Sequence, residues 1–108
     1  RPVDEILKRP GVRAFRYWDD EPQPVRSDDP DVPVIVYSLK GEEAVVGVTS
    51  YAPADRQVRL RLDAGALGLQ GTLRVANTET GVEMPVSDGA VVMNLKKHDT
   101  CVLRVTGR

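Results

Sequence analysis

The sequence predicts an all-β domain: an antiparallel β-sandwich of about 7–8 strands, Greek-key-like, with at most one short helical turn. Three observations carry that reading. From Val34 onward, short apolar runs rich in valine and leucine recur at the spacing of an all-β fold, separated by glycine, proline and aspartate turns. The run from Gln57 to Asp63 alternates cleanly, with Val58, Leu60 and Leu62 on one side and Arg59 and Arg61 on the other. That is the pattern of a strand with one wet face in an antiparallel sheet. Nowhere is there a helical stretch long enough for a parallel βαβ crossover.

At 108 residues the chain has the length of one domain. Six of its eight prolines (Pro2, Pro10, Pro22, Pro24, Pro30 and Pro33) and two acidic clusters fall in the first 33 residues. Proline fixes φ and removes a backbone donor, so this stretch cannot supply central strands. Residues 1–32 are therefore expected to be a linker and lead-in that packs on a neighbour, and residues 33–108 the sandwich. Within the lead-in, Val3 to Lys8 has room for one helical turn before Pro10-Gly11 stops it. Gly11 to Trp18 alternates imperfectly, as an edge strand or an extended connector.

The strands are expected as follows. Val34 to Leu39 is closed by a Lys40-Gly41 turn, and Ala44 to Tyr51 ends at Ala52-Pro53-Ala54-Asp55. After Gln57 to Asp63, Ala64 to Gln70 breaks the alternation with two glycines. There Asp63 caps a single helical turn whose Leu67 and Leu69 plug the end of the core. Thr72 to Ala76, Val82 to Val86, Ala90 to Leu95 and Thr100 to Val105 complete the set. Ser87-Asp88-Gly89 is a three-residue hairpin loop in which Gly89 takes positive φ.

Composition excludes several functions. The net charge is −1, which gives no electrostatic footprint for nucleic acid, and no apolar run is long enough to span a membrane as a helix. The single cysteine, Cys101, allows no internal disulfide and reads as a small buried hydrophobe. The start at Arg1-Pro2, without a methionine, suggests a piece of a longer protein.

No catalytic, cofactor or metal residues are assigned. Asp19, Asp20 and Glu21 splay from a proline-rich segment and stay solvated, unlike carboxylates that face each other across a bond. Glu42 and Glu43 sit in a hairpin turn. His98 and Cys101 are too few for a zinc site, and Ser38, Ser50 and Ser87 lack a nucleophile elbow. Gly65, Gly68 and Gly71 do not make a phosphate-binding loop. Tyr37 and Tyr51 are placed in or near the core. Phe15, Tyr17 and Trp18 form an aromatic cluster in the lead-in, the candidate for interdomain or sugar contact.

The order of turns carries a resemblance. Leu67-Gly68-Leu69 with Gly71, then Ala76 to Gly81, then Asp88-Gly89, then Leu95 through His98-Asp99 to Leu103 resembles the C-terminal sandwich behind the catalytic barrel of many glycoside hydrolases. The likeness is greatest to multidomain barrel proteins related to glycoside hydrolase family 123, whose lead-in often carries an aromatic segment similar to Phe15-Arg16-Tyr17-Trp18. Two positions depart from it: Asn77 stands for the usual aspartate, and Lys96-Lys97 for a proline-containing step. The resemblance implies a non-catalytic accessory domain of a carbohydrate-active protein, bacterial and exported, whose partner is the catalytic barrel of the same parent chain. Carbohydrate is a second candidate partner. The competing expectations are a carbohydrate-binding module and an immunoglobulin-like interaction domain.

Overall fold

The computed structural model describes residues 8–18 and 20–107. Among the described residues, nine strands run β1 (Arg13–Arg16), β2 (Val25–Ser27), β3 (Val34–Leu39), β4 (Glu43–Thr49), β5 (Arg56–Leu62), β6 (Arg74–Asn77), β7 (Glu83–Met84), β8 (Ala90–Leu95) and β9 (Thr100–Thr106). One helical turn, α1 (Ala64–Leu67), lies between β5 and β6. The strands form two antiparallel sheets: a six-stranded one in the order β1-β3-β4-β9-β6-β7 and a three-stranded one in the order β2-β5-β8. The all-β antiparallel sandwich is as expected, with one or two more short strands than the sequence pattern suggested.

The alternation read in the sequence fixes which way each strand faces. Val58, Leu60 and Leu62 of β5 point into the sandwich, and β8 sets Val91 and Met93 beside them. From the larger sheet come Val34 and Val36 of β3, Val46 and Val48 of β4, and Leu103 and Val105 of β9. β9 lies between β4 and β6, so the last strand of the chain closes the middle of the larger sheet. A three-stranded sheet cannot cover a six-stranded one, and loops close the remaining rim. Asp63 caps α1 by accepting a 3.0 Å hydrogen bond from the Ala66 amide, and Gly68 ends it at φ +68°. The turn holds Leu67 and Leu69 at the end of the core, as expected. A Cβ on Gly68 would lie 2.4 Å from Lys40 Cγ, so the turn seats directly on the β3–β4 hairpin.

Several details differ from expectation. The loop before β8 is a two-residue Asp88-Gly89 turn. Both residues have positive φ, and Ser87 and Ala90 exchange backbone hydrogen bonds of 2.9 and 3.0 Å across it. Tyr51, placed near the core by sequence, lies beyond β4 and is 65% exposed. The helical turn expected at Val3 to Lys8 falls almost wholly outside the described residues.

The larger difference concerns the lead-in. β1 pairs with β3 and β2 pairs with β5, so residues expected to pack on a neighbour are strands of the two sheets. Val25 and Val32 are fully buried in the core. Both strands lie at sheet edges, where a missing donor costs little, and Pro24 and Pro30 lie before and after β2 without interrupting it, while Pro33 immediately precedes β3. The acidic run Asp28 to Asp31 is a clasp. Asp29 accepts from the Asp31 amide at 2.9 Å and from Arg56 at 2.7 Å, and Asp28 accepts from the Arg59 amide at 3.0 Å. The Asp31 amide bond foremost, with Arg56 adding to it against the cost of desolvation, holds the Asp29 carboxyl below its ordinary value. We propose on this basis that the described lead-in, residues 8–18 and 20–32, is part of the folded unit.

Deleting residues 1–32 is expected to abolish the cooperative thermal transition. Val25→Ala alone should lower stability by about 1.5–3 kcal/mol through lost burial and the cavity left behind. Urea denaturation followed by circular dichroism checks both. A truncated chain that still melts cooperatively would make the lead-in dispensable.

Candidate interaction surfaces

The aromatic cluster separates as the lead-in enters the sandwich. Phe15 turns inward from β1 and packs on the core, with the Arg13 guanidinium 4.8 Å from its ring centroid. Tyr17 and Trp18 follow the end of β1 and stay outside, 52% and 60% exposed. Their rings meet edge to face, with centroids 4.8 Å apart and planes 87° from parallel. Perpendicular rings cannot offer two coplanar faces to a flat polysaccharide. Tyr17 borders a hollow of about 260 Å³ with Gln23, Val25, Pro30, Val32 and Val34, at the side of the sandwich where β1 and β2 are the edges. Gln23 forms one wall: its Nε2 donates to the Arg16 carbonyl at 2.8 Å, and its Oε1 is buried without a partner among the described residues.

A second apolar cluster lies on the opposite face of the larger sheet from the core. Leu39 and Val45 are buried there, with Val12, Tyr37 and Val102 partly buried around them. Val12 belongs to the lead-in, which Arg9 also ties to the β3–β4 hairpin through Glu42 and, at 3.0 Å, Glu43. Glu43 accepts as well from Arg104 of β9 at 2.7 Å. The carboxylates expected to be solvated in a hairpin turn are thus spent on holding the lead-in and β9 together.

The remaining polar candidates do structural work or stand alone. Among the described residues, no group of three or more histidine, cysteine, aspartate or glutamate side chains converges to hold a metal. His98 is an exposed loop residue at φ +59°. Glu21 pairs with Arg13. Ser50 is buried and accepts from the Ala52 amide at 3.2 Å.

Asn77 is the residue whose importance the sequence reading missed. Its Oδ1 accepts from the Glu79 and Thr80 amides at 2.8 and 3.1 Å, shaping the turn that Gly81 completes at φ +75°. Its Nδ2 lies 3.3 Å from Cys101 Sγ and donates to it. An aspartate would build the same turn but has no such donor. Burial pushes the Cys101 thiol above its ordinary value, and the carboxylates of Asp99 and Glu79 add to the effect.

With the geometry in view, the similarity to known proteins is specific. The family model for the C-terminal domain of glycoside hydrolase 123 matches residues 9–83. The chain belongs to the glycoside hydrolase 123 C-terminal domain family. The match begins before β1, so the family pattern includes both lead-in strands. No curated protein matches in sequence. Among solved structures, this C-terminal domain is similar to part of a protein from Bacillus halodurans C-125 assigned as an α-N-acetylgalactosaminidase. The TM-score is 0.64 at 14% identity over 88% of this chain and 21% of that one. It is also similar to part of a family 27 β-L-arabinopyranosidase from Geobacillus stearothermophilus, with a TM-score of 0.63 at 9% identity over 89% of this chain and 20% of that one. At such identities the likeness is one of fold. The domain spans about a fifth of the length of both proteins.

The Cys101 thiol gives a prediction for alkaline pH. Its pKa is raised in the folded state, so the unfolded chain loses this proton first as pH rises. The stability tied to the neutral thiol is complete below the unfolded value near 9.0 and is lost as pH climbs through the folded one. The difference in urea midpoint between the wild type and Cys101→Ala should therefore shift against the wild type between pH 7 and pH 10.5. A difference that stays constant with pH would show that the thiol does not titrate differently on folding.

Proposed function

We propose that this chain is the non-catalytic C-terminal sandwich of a glycoside hydrolase and that it docks on the catalytic domain of its parent, stabilising it. The observation that carries the reading is the Tyr17–Trp18 pair. Two large aromatic side chains stand next to each other, each more than half exposed, on a segment whose neighbours Phe15 and Val25 are tied into the sandwich. Aromatic side chains held out on a rigid edge are the residues that dominate protein interfaces, and burying each is worth about 1.5–3 kcal/mol. The second apolar cluster, with Val12 and Tyr37 at its margin, lies along the same lead-in and extends the docking edge. Family membership supports the same context, because the matching model is that of a C-terminal domain.

Trp18 is the chain's one tryptophan, which makes the test direct. In the 108-residue chain, Trp18→Ala should change stability by less than about 0.5 kcal/mol, as for other surface substitutions. In the parent protein the same substitution should cost about 2 kcal/mol of interdomain coupling and split one calorimetric transition into two. Equal, small effects in both contexts would remove Trp18 from the interface.

A second reading has its own observation: Tyr17 borders the 260 Å³ hollow in which Gln23 Oε1 has no partner among the described residues. That reading makes the domain a module for neutral carbohydrate. Titration with a panel of neutral oligosaccharides, monitored by amide NMR, would then shift Tyr17, Gln23 and their neighbours. A flat response across the panel removes it.

A further inference from the structure

The outer face of the three-stranded sheet carries a pattern that docking does not use. Arg26 of β2 and Arg61 of β5 are direct cross-strand partners, and Arg59 lies two residues from Arg61 on the same face. All three are exposed. Like charges placed opposite each other in a sheet are destabilising. By contrast, among the described residues Arg9, Arg13, Arg56, Arg74 and Arg104 each lie within ion-pair distance of a carboxylate. Among the described residues, no carboxylate forms an ion pair with Arg26, Arg59 or Arg61. In a chain of net charge −1, three exposed guanidinium groups with no carboxylate partner among the described residues thus share one face of one sheet.

The face is also concave. Arg26, Asp28, Arg59 and Arg61 line a hollow of about 210 Å³. On its other side Arg59 borders a second hollow of about 380 Å³, with Pro85, Ser87, Asp88 and Val92. Arg59 therefore stands between two depressions, beside its cross-strand partner Val92, which is 44% exposed.

We propose that this groove is a binding site for a saccharide bearing carboxylate or sulfate groups. Guanidinium forks match the planar or triangular oxygens of such groups, and each contact is a charge-assisted hydrogen bond. Asp28 and Asp88 provide acceptors for hydroxyl donors in the same groove, and Val92 and Pro85 provide apolar surface for a ring face. A phosphate polymer gains its affinity from an extended basic field, and three arginines on one sheet face give it little to hold. The anion site stands on the arginine geometry alone. The choice of a saccharide rests on the parent being a glycoside hydrolase, and the two parts fail separately.

The test is calorimetric and NMR titration of the 108-residue chain with an oligogalacturonate, a chondroitin sulfate oligosaccharide, a neutral oligosaccharide of equal length, a glutamate-rich peptide and inorganic sulfate. The expected result is binding of one or both charged saccharides, with shifts at the side-chain NεH groups of Arg26, Arg59 and Arg61 and affinity that falls as salt is raised. Which of the two binds distinguishes carboxylate from sulfate as the recognised group. Arg59→Gln and Arg61→Gln should each weaken binding by about tenfold, while Arg104→Gln, on the other sheet, leaves it unchanged. The two groove variants should melt at an unchanged or higher temperature, since each removes like-charge repulsion. A structural role would lower it. Equal binding of the neutral oligosaccharide, or insensitivity to the arginine changes, would overturn the site. Binding of inorganic sulfate or the acidic peptide as tightly as the saccharides would overturn the saccharide assignment.

Discussion

The constraint on which the rest of this structure depends is the unequal width of its sheets. Six strands must be kept dry on one face by three. β5 is the centre of the smaller sheet, and Val58, Leu60 and Leu62 can cover only the middle of the larger one. Each remaining part of the rim is closed by a side chain from outside the regular strands or at an edge. Leu67 and Leu69 close one end from the α1 turn, Val32 closes the loop after β2, and Phe15 and Met84 pack at the two edge strands of the larger sheet. Burial contributes in proportion to apolar area removed from water, so the buried plugs Val32, Leu67 and Leu69 weigh as much per residue as the strand interiors, and the partly buried Phe15 and Met84 less. A change in the α1 cap or in the Asp28–Asp31 clasp therefore acts on the core through the backbone that positions a plug.

How much of this was legible in the sequence follows from the same geometry. Where a strand has one dry and one wet face, its period of two is visible, and Gln57 to Leu62 was read almost to the residue. The α1 turn was legible because Asp63, Gly65 and Gly68 are local signals of a cap and a stop. For the lead-in, the sequence expectation weighs proline without its position. Pro24 and Pro30 lie before and after the edge strand β2, and Pro33 precedes β3 beyond the end of its pairing with β1, so they mark boundaries and do not exclude pairing. Strand pairing over long sequence separations, such as β2 with β5, leaves no local pattern at all. Tyr51 was assigned inward because the apolar run of β4 continues to it, but β4 ends at Thr49, and the chain turns away with the Tyr51 amide donating to the Asp31 carbonyl at 2.8 Å.

The candidate surfaces were legible only in part, for a related reason. Phe15, Tyr17 and Trp18 look like one cluster in sequence, yet alternation along β1 sends Phe15 inward while the chain beyond it leaves the sheet. Three aromatic residues thus become one core side chain and two exposed ones. Asn77 shows the opposite case, a single residue with two tasks. Its carbonyl oxygen shapes a turn, which a sequence can suggest, and its amide reaches Cys101 across 24 positions, which it cannot. The exchange of aspartate for asparagine seen against the family resemblance gains its sense here. The donor faces a thiol that desolvation keeps protonated, and a carboxylate in that place would add a third negative charge beside Asp99 and Glu79.

The two sheets have opposite relations to water on their outer faces, and that asymmetry orders the functional argument. The larger sheet puts Val45 and Tyr37 outside, held under a lead-in fastened by Arg9 to Glu42 and Glu43, so charge on that side is consumed in joining segments of this chain. The smaller sheet puts Arg26, Arg59 and Arg61 outside and leaves their charge unspent. Stability alone would favour the reverse, since a cross-strand arginine pair is repulsive and a glutamate at either position would be attractive. The arginine face and the aromatic edge meet at β2, because Arg26 also lines the hollow that Tyr17 borders. The proposed docking edge and the proposed anion site are therefore neighbours on the sandwich, with Arg26 the residue common to both.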